Sequence, residues 1–437
     1  MKKAHLRGTM GVGFRIAAAV LAAAAGNACG QVDAAAQPSQ REIECPVGDP
    51  LVASRDVSDL LAPIIEKNKV PGLVAVLIEG DTIKMHGVTG IRTRGSDAKV
   101  TINDQFHLGS CTKAMTATLC AMLVEDGTLR WDSTIGEVFP DEVAAEGVDP
   151  AWKDVTLLQL LTHHAGVPGD LSADGLWGRL RKIKDPMEGR RELLLGVLKH
   201  PPKTAPGTGF EYSNGGTAIA GHMAEVARDM AWEELMRRRV FEPLGITSAG
   251  FGAPGSVGEV DQPRGHTEAG IAIVPGPLAD NPAAIGPAGT VHMNVPDWAK
   301  FIAMHLEGAR REDEAAGNAA DKPAASGALL TGASFKVLHT PFEVRLGGDG
   351  NEDAANRGAS YACGWGVLKR GWAGGRVLTH SGSNTMWFCT VWIAPKKNIA
   401  VMAACNQGGD AGAKATDQAV GMLIQEMAKL PNGQIAK

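Results

Sequence analysis

The chain runs apolar without a break from Leu73 to Ile78, turns through Glu79, Gly80 and Asp81, and returns over Thr82 to Val88. That pattern predicts an antiparallel hairpin with one side well buried. At Thr112 the period changes. As far as Glu125, Met115, Leu119 and Met122 fall on one helical stripe with Ala114, Ala117 and Ala121 beside them, and Gly127 is a suitable stop. A helix so nearly apolar all round belongs in the middle of the protein. Helical patterns dominate from Val155 to about Ala249: Thr156 to Thr162, Met187 to Lys199, Asn214 to Ala227 and Trp232 to Phe241. From Ile285 onward strands return, at Cys363 to Lys369, Arg376 to His380, and a hairpin of Met386 to Ala394 with Ile399 to Asn406. An amphipathic helix carrying Ala419, Val420, Leu423, Ile424 and Met427 on one face ends the chain before Pro431. The expected fold is α/β of the α+β type: an antiparallel β-sheet flanked by helices, with an all-helical region inserted. The sheet parts fall at about 51–105 and 285–437 and the helical part at about 106–284. Two low-complexity stretches, Gly308 to Gly327 and Gly347 to Gly358, read as surface insertions.

The N-terminus has a separate logic. Lys2, Lys3, Arg7 and Arg15 precede an apolar run from Ile16 to Ala25, and small residues follow at Gly26 and Ala28. The run is too short for a bilayer span of about 20 residues but suits a secretory signal. Residues 1–28 therefore read as a signal peptide and the polar, Pro-marked residues 29–50 as a linker, leaving 51–437 as the working domain. Cys29 stands where a lipid anchor could attach, although Gly26 occupies a position where a Leu-like residue is usual. The expectation is an exported protein, periplasmic or extracellular, with tethering as a lipoprotein through Cys29 as the variant form. No other stretch reads as a transmembrane span.

With 437 residues, 44% of them hydrophobic, the chain has ample material for a large core. A formal charge of -5 leaves no basic footprint for nucleic acid, so the expected partner is a small-molecule or peptide substrate. The seven cysteines show neither disulfide-framework nor zinc spacing, and no cofactor or metal is expected. If the last hairpin pairs as it reads, Cys389 and Cys405 lie nearly opposite each other, as a disulfide or as two packed thiols. Oligomeric state is left open.

The candidate chemistry lies in three short motifs. Ser110-Cys111-Thr112-Lys113 enters the buried helix, so Ser110 and Lys113 share a face. A buried lysine loses its proton more readily and can then take one from a hydroxyl, while the helix N-terminus offers the Ser110 N–H to an oxyanion. Ser96-Asp97-Ala98-Lys99 has the same spacing but sits in a Gly- and charge-rich turn, where the two side chains share no face. Tyr212-Ser213-Asn214 follows a Pro- and Gly-rich loop and opens a helix: a phenol to relay protons and an amide to orient a carbonyl. The plainer alternative has Asn214 capping the helix and Tyr212 packed beneath it. His380-Ser381-Gly382 runs along a strand whose glycine admits a substrate to the backbone, with the Ser383 N–H as second oxyanion donor. His107-Leu108-Gly109 and His164-Ala165-Gly166 match the same pattern in other settings.

On these motifs, and on Phe106-His107-Leu108-Gly109, Leu160 to Gly166, Val240 to Gly245 and Cys363-Gly364-Trp365-Gly366, the chain resembles the serine β-lactamase and penicillin-binding-protein superfamily over roughly Leu51 to Leu430. The branch it is similar to is the class C-like one, which also holds esterases and D-amino-acid peptidases. The resemblance implies a β-lactamase/transpeptidase-like fold with Ser110 as acylated nucleophile, Lys113 as base, and Tyr212 as the group that protonates the leaving atom and activates the deacylating water. It implies that Asn214 binds the acyl side chain. Where many members carry Lys-Thr-Gly, this chain has His380-Ser381-Gly382. A histidine with an ordinary pKa near 6.5 is a weaker carboxylate clamp than a lysine. The expected activity is a serine hydrolase working through an acyl-enzyme and leaning to esters or D-amino-acid peptides. The alternatives are a true β-lactamase and a non-catalytic penicillin-binding sensor. An α/β-hydrolase using Ser360 is disfavoured, because no acid lies between Ser360 and His380 and no histidine follows His380.

Overall fold

The computed structural model describes residues 54–315, 328–342 and 360–429. The proposed signal, linker and Cys29, the stretch Gly347 to Gly358, residues 316–327 and Pro431 lie outside the described residues. A seven-stranded sheet is built from β1 (Arg55–Asp56), β2 (Gly72–Glu79) and β3 (Thr82–Gly90) near the start, and from β7 (Gly366–Arg370), β8 (Gly375–Ser383), β9 (Phe388–Ala394) and β10 (Ile399–Cys405) near the end. Their order is β1-β3-β2-β10-β9-β8-β7. Every pairing but the short β1–β3 contact is antiparallel. The hairpin turn between β2 and β3 uses Gly80 at φ +61°, a conformation that suits glycine.

β2 reads as one continuous apolar run because both of its faces are covered. Leu73, Ala75 and Leu77 face one apolar cluster; Val74, Val76 and Ile78 face the other. The first cluster includes helix α1 (Ser58–Asn68) and the last helix. The second is built on α2 (Thr112–Glu125) and the helices that follow it. Those helices include Leu157–Leu161, α3 (Pro186–Leu198) and α4 (Asn214–Arg228), all between the two groups of sheet strands in sequence. The expected helix from Trp232 to Phe241 is α-helical only to Met236 and widens over Arg237–Phe241. A small second sheet, β4 (Gln105–His107), β6 (Val291–Asn294) and β5 (Gly250–Phe251), lies among these elements and was not foreseen.

After Ile285 strands return first as the short β6, which leads into α5 (Val295–Ala315) and then α6 (Gly332–His339). Two expectations fail on local grounds. Residues 308–315 are helical rather than a surface insertion. Ala309 is buried, and Arg310 and Arg311 pair back to Glu307 at helical spacing. The cysteine hairpin is offset by one residue, with Cys389 opposite Ala404 and Cys405 opposite Phe388. A one-residue offset sends side chains to opposite faces of a sheet, so Cys389 and Cys405 belong to different clusters and cannot bond. Both are free thiols. The closing helix α7 (Gly409–Ala428) buries Ala419, Val420, Leu423 and Met427 as its pattern requires. Among the described residues, no helix is long and apolar enough to cross a membrane.

Candidate active site

β4 ends at His107, and a single tight turn, Gly109–Cys111, leads into α2. Gly109 sits at φ +47°, and a Cβ there would lie 2.3 Å from the Ser383 nitrogen. A Cβ on Gly382 would lie 1.9 Å from the Leu108 carbonyl oxygen. Only two glycines allow the backbones at 108–110 and 382–383 to touch, and that contact sets the N–H groups of Ser110 and Ser383 on adjoining chain segments.

Two residues beyond the turn, Lys113 is 1% exposed in an almost wholly apolar helix. Its Nζ lies 2.7 Å from Asn214 Oδ1, 2.8 Å from the Ala288 carbonyl oxygen and 3.0 Å from Ser110 Oγ. Burial, outweighing the opposing pull of Cys111, brings the amine down to about 7. The charged amine donates to all three oxygens. Once neutral, its two N–H groups can stay on Asn214 Oδ1 and the Ala288 carbonyl oxygen, and its lone pair is left for the Ser110 hydroxyl proton.

The loop before α4 supplies the next two groups. Ser213 caps this helix by accepting from the Gly216 N–H at 3.3 Å, which frees Asn214 from the capping role and leaves its Oδ1 for Lys113. Tyr212 lies with its ring centroid 4.9 Å from Lys113 Nζ. Loss of water around the phenol, partly offset by a hydrogen bond with Ser110, pushes its pKa up to about 12, although 38% of the residue is exposed. Tyr212 is therefore a protonated phenol at neutral pH.

β8 carries the third motif. His380 Nδ1 faces the Ser381 carbonyl oxygen at 2.6 Å and must hold a proton there, so in the neutral ring Nε2 accepts from the Tyr361 hydroxyl at 2.9 Å. Ser381 Oγ lies 3.1 Å from Thr390 Oγ1. Cys111 packs beneath this strand, its Sγ 3.7 Å from the His380 carbonyl oxygen and 3.6 Å from Cys389 Sγ.

Sequence reasoning missed the aromatic wall around these groups. The chain has only two tyrosines, and Tyr361 stands 6.2 Å from Tyr212, ring to ring. His163 lies between them, 4.4 Å from Tyr212 and 4.8 Å from Tyr361. It holds φ +64° and accepts the Ser213 N–H on Nδ1. Burial keeps its pKa well below the ordinary value, so the ring is neutral. The scarcity of tyrosine was the available signal for Tyr361. Ser360, the alternative nucleophile, belongs to a chain segment paired in an antiparallel sheet, not to the parallel sheet an α/β-hydrolase requires.

A helix-flanked antiparallel sheet that brings a Ser-x-x-Lys turn against a Tyr-x-Asn loop and a His-x-Gly strand defines the serine β-lactamase and penicillin-binding-protein class of scaffold. The chain belongs to the Beta-lactamase family, whose model matches residues 57–425. It is 31% identical over 244 residues to penicillin-binding protein 4 of Amycolatopsis lactamdurans, an alignment covering 55% of this chain and 61% of that protein. It is 28% identical over 202 residues to a lovastatin esterase of Penicillium rubens, covering 43% of this chain and 50% of the esterase. The chain thus spans between half and two thirds of the length of these relatives. Its fold matches an octameric penicillin-binding protein homologue from Pyrococcus abyssi with a TM-score of 0.63 at 22% identity, over 84% of this chain and 76% of that one.

Proposed function

We propose that the protein is a serine hydrolase that works through an acyl-enzyme on Ser110, acting on an ester or a D-amino-acid peptide. The observation that carries this reading is the buried set of three partners around Lys113, which in the neutral amine leaves the lone pair facing the Ser110 hydroxyl. Lys113 takes the Ser110 proton as Oγ bonds to the substrate carbonyl carbon, and the N–H groups of Ser110 and Ser383 hold the oxyanion. Tyr212, protonated at neutral pH, donates to the leaving atom and regains a proton from Lys113 as the carbonyl re-forms and the leaving group departs. Lys113 is then neutral again. In deacylation water gives its proton through Tyr212 to Lys113, its oxygen bonds to the acyl carbon, and Ser110 leaves with the proton returned. A phenol with a pKa near 12 is a poor store of negative charge, so the lysine is where the proton rests.

The lean towards esters and D-amino-acid peptides comes from His380. Its two nitrogens are already engaged with Ser381 and Tyr361, and no lysine stands at this position for the carboxylate of a β-lactam. The names of the penicillin-binding and esterase relatives are in keeping with that range. Asn214 and the edge of β8 at Ser381 and Gly382 would line the acyl group. The N-terminal pattern supports export, with cleavage ahead of Cys29.

Intact-mass spectrometry after mixing with a chromogenic ester, a D-alanyl peptide and a β-lactam in parallel tests the whole reading. The expected result is an acyl adduct on wild type that is absent from Ser110→Ala, with activity lost by several orders of magnitude. Retention of activity within about tenfold in Ser110→Ala would sink the mechanism, and an adduct that forms without turnover would point to the sensor instead. The mass of the protein recovered from its own cells reports whether a leader has been removed.

A further inference from the structure

His107 matches the His-x-Gly pattern, yet it is fully buried and has no place in the chemistry above. It accepts the Gly109 N–H on Nδ1 at 3.1 Å, and its Nε2 lies 2.7 Å from Asp280 Oδ2. The tautomer follows from these partners: Nδ1 bears the lone pair and Nε2–H donates to the carboxylate. The other oxygen, Asp280 Oδ1, accepts from the Asn384 side-chain amide at 3.0 Å and from the Asn281 N–H at 2.7 Å. Asn384 is also buried, and its own oxygen accepts the N–H groups of Met386 and Trp387. The Trp387 ring stacks on His107 with centroids 5.6 Å apart. One buried carboxylate therefore reaches both segments of the proposed oxyanion hole. Through His107 it holds the turn just before Ser110, and through Asn384 it holds the residue just after Ser383.

The geometry points to Asp280 as a positioning residue that locks the two oxyanion-hole N–H groups in register, acting through His107 on one side and Asn384 on the other. The inference rests on the acyl-enzyme reading. The two backbones touch at Gly109 and Gly382 with no spare room, so their spacing is sensitive to whatever fixes each turn. An oxyanion hole stabilises charge that develops only in the transition state. A slip in register should therefore cost turnover and spare substrate binding.

Asp280→Asn is the isosteric test. Whichever way the new amide faces, its NH2 meets a donor: His107 Nε2–H in one orientation, the Asn384 and Asn281 N–H groups in the other. One tie must break. His107→Gln is the second variant, because its amide can reach Asp280 but leaves the Gly109 N–H without an acceptor, and it keeps the buried carboxylate hydrogen-bonded if Asp280→Asn does not fold. Each variant should lose about 10- to 100-fold in kcat with KM within about threefold of wild type. Affinity for an arylboronic acid, which forms a tetrahedral anion on the serine, should fall by the same factor as kcat/KM. A merely structural role would lower thermal stability and active fraction and leave the boronate affinity of the folded protein unchanged, and that result overturns the inference. So does a kcat within about threefold of wild type in His107→Gln. Failure of wild type to bind the boronate, with Ser110→Ala still active, is a different result: it removes the acyl-enzyme reading, and the purpose assigned to Asp280 with it.

Discussion

At Lys113 the polarity of the side chain and the place it occupies are in conflict, and the proposed role as base rests on that conflict. A free lysine holds its proton to about 10.5, whereas this one gives it up near 7 because burial penalises the charged form. Between those values the unfolded chain binds a proton that the native protein does not, so stability rises with pH through the window from about 7 to 10.5. Below about 7 the native amine is charged, and the full penalty is felt. The rate of acylation at low substrate should climb with pH along a limb centred near 7, measured as kcat/KM with a chromogenic ester. Lys113→Met should lose roughly 10²- to 10⁴-fold in that rate and gain stability to urea, with the rise in stability between pH 7 and 9 flattened. A limb centred near 10 would mean that the folded protein does not lower the lysine's hold on its proton.

At the scale of elements, the turn from β4 into α2 is set by glycine and by what lies across from it. Gly109→Ala would force a side chain into a left-handed conformation and against the Ser383 nitrogen. It should lower kcat/KM by at least about 100-fold while leaving the far-ultraviolet circular dichroism spectrum unchanged, with about 1–3 kcal/mol lost in urea unfolding. Wild-type activity in this variant would show that the contact between residues 108–110 and 382–383 does not govern the site. The cysteine hairpin carries a related lesson in register. β9 and β10 were legible as apolar runs, but both faces of the central strands are covered, so no alternation of polar and apolar residues marks which residue opposes which. For the same reason the sequence could not tell that Cys389 turns towards Cys111 and Cys405 towards the opposite layer.

For the whole molecule, the helices between the two halves of the sheet are tied together by a largely buried charge cluster. Arg190 on α3 is fully buried, binds Glu225 of α4 through Nε at 2.9 Å, and reaches Glu233 at 2.8 Å. Against the upward push of burial, hydrogen bonds from His222 and Arg190 hold the Glu225 carboxyl below its ordinary range. A depressed carboxylate contributes stability above its unfolded pKa near 4.5, and that contribution is lost as pH falls through its native value. Arg190→Leu should cost about 3–5 kcal/mol in urea unfolding at pH 7, because it strands buried charge, and the loss should shrink towards pH 4 as the carboxylates take up protons. A loss below about 1 kcal/mol at pH 7 would mean that the helices do not depend on the cluster.

The sequence by itself determined the period of each long element and the pairing of Ser110 with Lys113, because strand alternation, helical spacing and an i, i+3 face are local properties of the backbone. It also made Tyr212, Asn214 and His380 candidates by their settings at a helix start and along a strand. Only the tertiary structure decided which atoms meet. Asn214 turns to the lysine rather than to its helix end, and Tyr361, 19 residues before His380, closes on its ring. Asp280, 173 residues beyond His107, holds the turn that presents Ser110. Contacts between residues so far apart are fixed by packing and by the demand that every buried donor find an acceptor, and neither leaves a mark in the spacing of residues along the chain.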